Sequence, residues 1–135
     1  MKSSERTWSV GEVAERLGLE THVLRHWESV GLLAPGRDGG GRRRYRRDDV
    51  VRIAVVVRSK AAGMGLDQIR VLLDSGSPVR HRVLADHLAE LERRLAEIEV
   101  ARAMTEHAFN CRAHDITTCP RFRSHVVDLM AGFGE

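Results

Sequence analysis

The sequence predicts a mainly α-helical chain: a winged helix-turn-helix head, then a long coiled-coil helix, then a short C-terminal loop and helix. Three observations carry this. Two short stretches with helical apolar spacing are separated by a glycine stop, the pattern of a helix-turn-helix. A run of Pro, Gly, Asp and Arg follows, where no helix can form. Beyond residue 78 a helical stretch without Pro or Gly places Leu84, Leu88, Leu91, Leu95 and Ile98 at alternating steps of four and three, a heptad seam.

In chain order, Ser9-Val10-Gly11-Glu12 reads as a capping box, the serine oxygen and Glu12 carboxylate each taking a free amide. The helix it opens carries Val10, Val13, Ala14 and Leu17 on one face and stops at Gly18. Thr21 is placed to cap a second helix with Val23, Leu24, Trp27 and Val30 inward, stopped by Gly31. Residues 34–45 then read as a hairpin wing, with Leu32-Leu33 and Arg43-Arg44-Tyr45 as its short strands. Asp48-Asp49 suit the start of a third helix, which runs to Gly63, and Asp67 opens a fourth with Ile69, Leu72 and Leu73. Asp74-Ser75-Gly76-Ser77-Pro78 is the clearest linker. The expected division is therefore a head over 1–76, a dimerisation helix over 77–108 and a C-terminal loop and short helix over 109–135.

Charge separates the two halves. Residues 1–73 hold 14 lysines and arginines against 9 acids, whereas 74–135 hold 8 against 10. Six of those arginines fall within 37–47 beside a single acid, Asp38. A basic front and an acidic back suit a polyanion-binding head with a different task behind it. No stretch reaches the roughly 20 apolar residues of a membrane helix. Met1-Lys2-Ser3-Ser4-Glu5-Arg6 has no apolar run behind it, so the expected compartment is the cytoplasm and no membrane partner is expected. No nucleophile–base pairing, phosphate-cradling glycine loop or carboxylate pair points to an enzyme.

The head's residues point to double-stranded DNA. Thr21, His22, Arg25 and His26 form the polar face of the second helix, opposite Leu24, Trp27 and Val30, where a recognition helix would meet the major groove. Arg42, Arg43, Arg44 and Tyr45 of the wing supply cations and a hydroxyl for neighbouring phosphates. A narrow apolar stripe on one long helix has nothing in so short a chain to bury against, so a homodimer through Leu84, Leu88, Leu91, Leu95 and Ile98 is expected; folding back on the head is the alternative.

Trp8-Ser9-Val10-Gly11-Glu12-Val13-Ala14, Leu24-Arg25-His26-Trp27-Glu28-Ser29-Val30-Gly31-Leu32-Leu33, Arg43-Arg44-Tyr45, Asp49-Val50 and Gly63-Met64-Gly65-Leu66-Asp67-Gln68-Ile69 together resemble the MerR family of bacterial regulators, over roughly residues 8–74. The resemblance implies a homodimer joined by an antiparallel coiled coil on a palindromic promoter operator. It also implies that the dimer bends and untwists DNA so that RNA polymerase engages both promoter elements, a form of indirect readout. Arg25 and Tyr45 match phosphate-contacting positions, and Arg43 the wing arginine. The family's two aromatics after the arginine are here His26-Trp27, which removes one tyrosine hydroxyl.

Beyond the helix, Cys111 and Cys119 enclose seven residues and are followed by Pro120. Thiolates favour Cu(I), Zn(II) and similar ions. The Cys-x7-Cys-Pro loop, with Ser77 before the helix, resembles the copper-responsive members. His107 and His114 add donors in a His-x3-Cys-x2-His-x4-Cys array that suits tetrahedral Zn(II). The residues leave open a sensory metal, a structural loop in an effector-independent architectural DNA-binding protein, and a redox- or thiol-responsive regulator. Arg121-Phe122-Arg123 and Val126 to Met130 suggest a short amphipathic helix.

Overall fold

The computed structural model describes residues 6–134; the Met1–Glu5 stretch read for a leader, and Glu135, lie outside them. It divides into two compact units, Met1–His87 and Leu88–Glu135. Packing thus separates the units inside the long helix rather than in the Asp74–Pro78 turn.

In the first unit α1 spans Val10–Leu17, α2 Thr21–Ser29, α3 Arg47–Ala61 and α4 Leu66–Leu73. The capping box at α1 is complete: the Glu12 amide donates to Ser9 Oγ at 3.1 Å and the Ser9 amide to Glu12 Oε1 at 3.0 Å. The first two helices end alike. Gly18 and Gly31 adopt φ of 68° and 84°, and the next amide reaches back, Leu19 to Ala14 O at 2.8 Å and Leu32 to Trp27 O at 2.9 Å. A left-handed residue costs glycine least. The stop also swings an apolar residue inward, and Leu32 is fully buried. Gly63 repeats the device with Met64 after α3.

The cap expected at Thr21 is not made, whereas the acids expected at the starts of α3 and α4 lie in their first turns. Thr21 is the first residue of α2, behind Glu20 as an N-cap without a side-chain bond. Asp49 accepts from the Arg46 amide at 2.8 Å, and Gln68 rather than Asp67 accepts from the Gly65 amide at 2.8 Å.

The wing is a two-stranded antiparallel hairpin, but its first strand β1 is Gly36–Arg37, paired with β2 at Arg43–Arg44. Leu32 and Leu33 are core residues instead. The reason is the tightness of the turn. Asp38 O accepts from the Gly41 amide at 3.0 Å, and Asp38 Oδ1 accepts from the Gly40 and Arg42 amides. Gly41 at φ 78° takes the left-handed position that closes a three-residue loop. Pairing therefore starts at once on either side of the turn. Tyr45 continues the ladder, exchanging backbone bonds of 2.8 Å with Trp8 in both directions.

The core gathers Val13, Ala14, Leu24, Trp27, Leu32, Leu33, Tyr45, Ile53, Val56, Met64 and Ile69. Full burial of a Val, Leu or Ile side chain contributes roughly 1.5–3 kcal/mol, and Leu24, Leu32, Ile53, Val56 and Ile69 are wholly enclosed, as is Tyr45.

The long helix α5 runs Arg80–Asn110. Its start belongs to the first unit: Arg80 Nε donates to Leu72 O at 2.9 Å and Leu84 packs on the core. In the second unit, arginines ladder its surface, Arg93 bridging Glu90 and Glu97 while Arg94 also meets Glu90. Side-chain bonds from Arg93 and Arg94 hold the Glu90 carboxyl down to about 2. The seam residues Leu88, Leu95 and Ile98 are 60%, 57% and 63% exposed. After Asn110 come a 3-10 turn (Ile116–Thr118), the four-residue helix α6 (Pro120–Arg123) and 3-10 turns at Ser124–Val126 and Ala131–Phe133. The single amphipathic helix expected there is broken into these pieces, because Val127 to Met130 form a turn rather than a further helical turn.

Ile53→Ala is expected to lower the unfolding free energy by about 2–5 kcal/mol, and Gly31→Ala by about 1–2 kcal/mol through left-handed strain. Urea denaturation followed by circular dichroism checks both.

Candidate nucleic-acid interface and metal centre

On α2, His22, Arg25 and His26 are exposed and Thr21 half-buried, while Leu24 and Trp27 face the core. The polar face expected of a recognition helix is therefore free. Its C-terminal end is fastened from three sides. Arg52 Nε of α3 donates to Leu32 O at 2.6 Å, and Arg70 of α4 donates to Val30 O.

The third fastening ties helix to wing. Glu28 Oε1 accepts from Arg43 Nε at 2.6 Å, and Glu28 Oε2 lies 3.6 Å from an Arg37 terminal nitrogen. One carboxylate thus meets an arginine from each strand, and its hydrogen bond holds the Arg43 guanidinium above its ordinary pKa. Glu28 was missed by the sequence reading; an acid on the helix edge preceding an arginine run is the signal that marks it.

The four wing residues divide in role. Arg42 is exposed, with no ion pair or side-chain hydrogen bond among the described residues. Arg43 is committed to Glu28. Arg44 donates to Thr7 Oγ1 at 3.1 Å and to Thr7 O at 3.2 Å. Tyr45, expected to offer its hydroxyl outward, is 0% exposed, and its hydroxyl has no hydrogen-bond partner among the described residues. Burial pushes this phenol up, with the Glu28 charge adding to the effect. Backbone pairing with Trp8 turns the side chain inward.

In the second unit, His107, Cys111 and Cys119 come together. One ligand atom from each lies within 4.8 Å of the others, and all three residues are half-buried. His107 sits three residues before the end of α5, and Cys111 just after it. Cys119 precedes α6. The His107 Nε2–Cys119 Sγ distance is 3.3 Å. The Phe122 amide, then the His107 imidazole, lower the Cys119 thiol from an ordinary 9.0 to about 7; Cys111 and the Arg121 amide add to this, and burial opposes it. Amides at a helix start favour the thiolate. His114 is exposed and lies outside the group. A cluster of rings backs His107: Phe122 at 5.9 Å and His125 at 6.0 Å between centroids.

No helix of the described residues is long and apolar enough to cross a membrane. The family pattern of MerR HTH regulatory proteins matches residues 8–76, and the pattern described as MerR, DNA binding matches 50–107. The HTH-type transcriptional regulator HmrR of Rhizobium leguminosarum bv. viciae is 31% identical, with 83% of this chain and 92% of HmrR covered. The transcription regulator PbrR691 from Ralstonia metallidurans CH34, solved in complex with lead(II), is 26% identical with a TM-score of 0.54, covering 87% of this chain and 98% of that one. HiNmlR, a MerR family regulator lacking the sensor domain and bound to promoter DNA, shares the fold at a TM-score of 0.61 and 24% identity, covering 76% of this chain and 83% of that one. Family pattern and full-length relatives agree: the chain belongs to the MerR family of DNA-binding helix-turn-helix transcriptional regulators, which are not enzymes.

Proposed function

We propose that the chain is a metal-responsive regulator acting in the cytoplasm as a homodimer on a palindromic promoter site. It bends and untwists the DNA so that RNA polymerase engages the promoter. The observation that carries the metal reading is the convergence of His107, Cys111 and Cys119. Two sulfurs and an imidazole nitrogen suit Zn(II) or Cu(I) rather than a hard cation. In a tetrahedral zinc site, neighbouring sulfur and nitrogen ligands lie about 3.6 Å apart, close to the 3.3 Å between Cys119 Sγ and His107 Nε2. The lead(II) complex of PbrR691 supports the same reading by similarity.

For DNA, the exposed Thr21, His22, Arg25 and His26 face meets the groove, and Arg42 meets a phosphate beside it. Arg43, through Glu28, and Arg44, through Thr7, set the wing's position. Tyr45 contributes from the core rather than by a hydroxyl contact. Dimerisation is supported by the exposed leucine seam of α5, since apolar residues at heptad spacing are covered by a second helix. Leu84, on the head core, and Leu91 complete that seam.

Four outcomes follow. Arg42→Ala should weaken operator binding and make the slope of log affinity against log salt shallower by about one, measured by mobility shift on the chain's own promoter. Leu95→Glu should give monomers by light scattering and lose operator affinity; a dimer that persists would remove the seam from the interface. Protein purified without chelator should carry one Zn(II) or Cu(I) per chain by elemental analysis, abolished by Cys111→Ser or Cys119→Ser. Ligands bind deprotonated, and the Cys119 thiolate predominates only above about pH 7. Metal affinity should therefore fall as pH drops through 7, by about tenfold per unit for each proton displaced. A flat profile between pH 5.5 and 7 would argue against Cys119 as a ligand.

A further inference from the structure

We propose that His125 is the fourth ligand of a Cys2His2 site formed with His107, Cys111 and Cys119, and that the ion is a four-coordinate divalent cation of the zinc type. This rests on the metal reading above and goes beyond it in naming the ligand set and the class of ion. A closed zinc site takes four nitrogen and sulfur donors, and the convergent group supplies three.

The other donors nearby are committed or remote. Asp115 Oδ1 accepts from the Thr117 amide at 3.0 Å and from Thr117 Oγ1 at 2.7 Å, so it holds the 3-10 turn. Glu106 pairs with Arg102 at 2.8 Å. His114, the histidine inside the loop, is exposed and outside the group. His125 also lies outside the group of three, but it differs in burial and in its neighbour. It is half-buried, its imidazole has no hydrogen bond among the described residues, and its ring lies 6.0 Å from that of His107.

The distance is close to what shared coordination demands. Two imidazoles on one tetrahedral zinc, each bound at about 2.0 Å, hold their ring centroids about 5 Å apart. His125 therefore needs to approach by about an ångström, within reach of its own side-chain torsions. Phe122 walls both rings, 5.9 Å from His107 and 6.3 Å from His125, and restricts where they point. A linear bis-thiolate ion would use neither imidazole, so His107 beside the thiols, with His125 next to its ring, favours the four-coordinate ion. Since His125 belongs to the Ser124–Val126 turn, coordination also ties the segment after α6 to the end of α5.

The test is titration of the full-length chain with Co(II) as spectroscopic probe and with Zn(II) against a chromophoric chelator. Wild type should give the strong visible bands of tetrahedral Co(II) with a thiolate charge-transfer band. His125→Gln should keep the charge-transfer band, weaken the visible bands and lower Zn(II) affinity by about 100-fold or more, since outer-shell partners alone are worth about 10–100-fold. His125→Cys should restore tetrahedral bands with added charge-transfer intensity, which a loss of folding could not do. His114→Gln should match wild type. Wild-type spectra and affinity in His125→Gln, or the loss appearing in His114→Gln instead, would overturn the fourth ligand while leaving the three-donor reading in place. A wild-type chain that binds neither ion would remove both.

Discussion

The reading head depends on one carboxylate, that of Glu28. It sits on α2 and holds Arg43 at 2.6 Å and Arg37 at 3.6 Å, one from each strand of the wing. Both partners of the shorter pair keep about a quarter of their side-chain surface in solvent, so the bond adds little to stability. Its consequence is geometric. A helix and a hairpin that both address one duplex must keep a fixed separation, and backbone pairing alone fixes the hairpin only to itself and to Trp8. Arg52 and Arg70 complete the constraint by holding the carbonyls that leave α2. Several arginines that look like a phosphate-binding surface thus spend their charge inside the head.

That division explains which parts of the head were legible from residues alone. Helix positions follow from apolar spacing and from the Gly18 and Gly31 stops, because those are local rules of backbone and burial. The wing's place follows from Pro35 and the glycines around Asp38. Its strand register did not, since it turns on the Asp38 turn closing in three residues rather than on the apolar character of Leu32 and Leu33. Tyr45 was read as outward because a tyrosine in a basic hairpin has a hydroxyl to offer. Its inward aim is set by pairing with Trp8, 37 positions away, which no local pattern encodes. Glu28 belongs to the same class: an ion pair across 15 residues is invisible until the chain is folded.

At the other end the legible part was chemistry and the hidden part geometry. Cys111, Cys119, His107 and His114 present metal-ligand spacing in one dimension. Folding selects among them, because the 3-10 turn held by Asp115 leaves His114 at the surface. His107, on the last turn of α5, instead points to the thiols. His125 carries no spacing signal, since it is separated from Cys119 by a helix and reaches the cluster only through Phe122 and His107.

The contact that organises this cluster without metal is also the one a metal must replace. His107 Nε2 and Cys119 Sγ are 3.3 Å apart and share a hydrogen bond, using the two atoms that would ligate an ion. The bond and the amides at the start of α6 favour the thiolate. On the proposed metal reading, the donors therefore already lie near the places coordination would need. Pre-organisation of this kind lowers the ordering cost of binding. It would also make each binding event of the proposed metal an exchange of ion for proton. The donors span the end of α5, the Cys111–Cys119 loop and α6. On the proposed metal reading, replacing a directional hydrogen bond with coordination would reset how the segment beyond Asn110 is attached to the helix that precedes it.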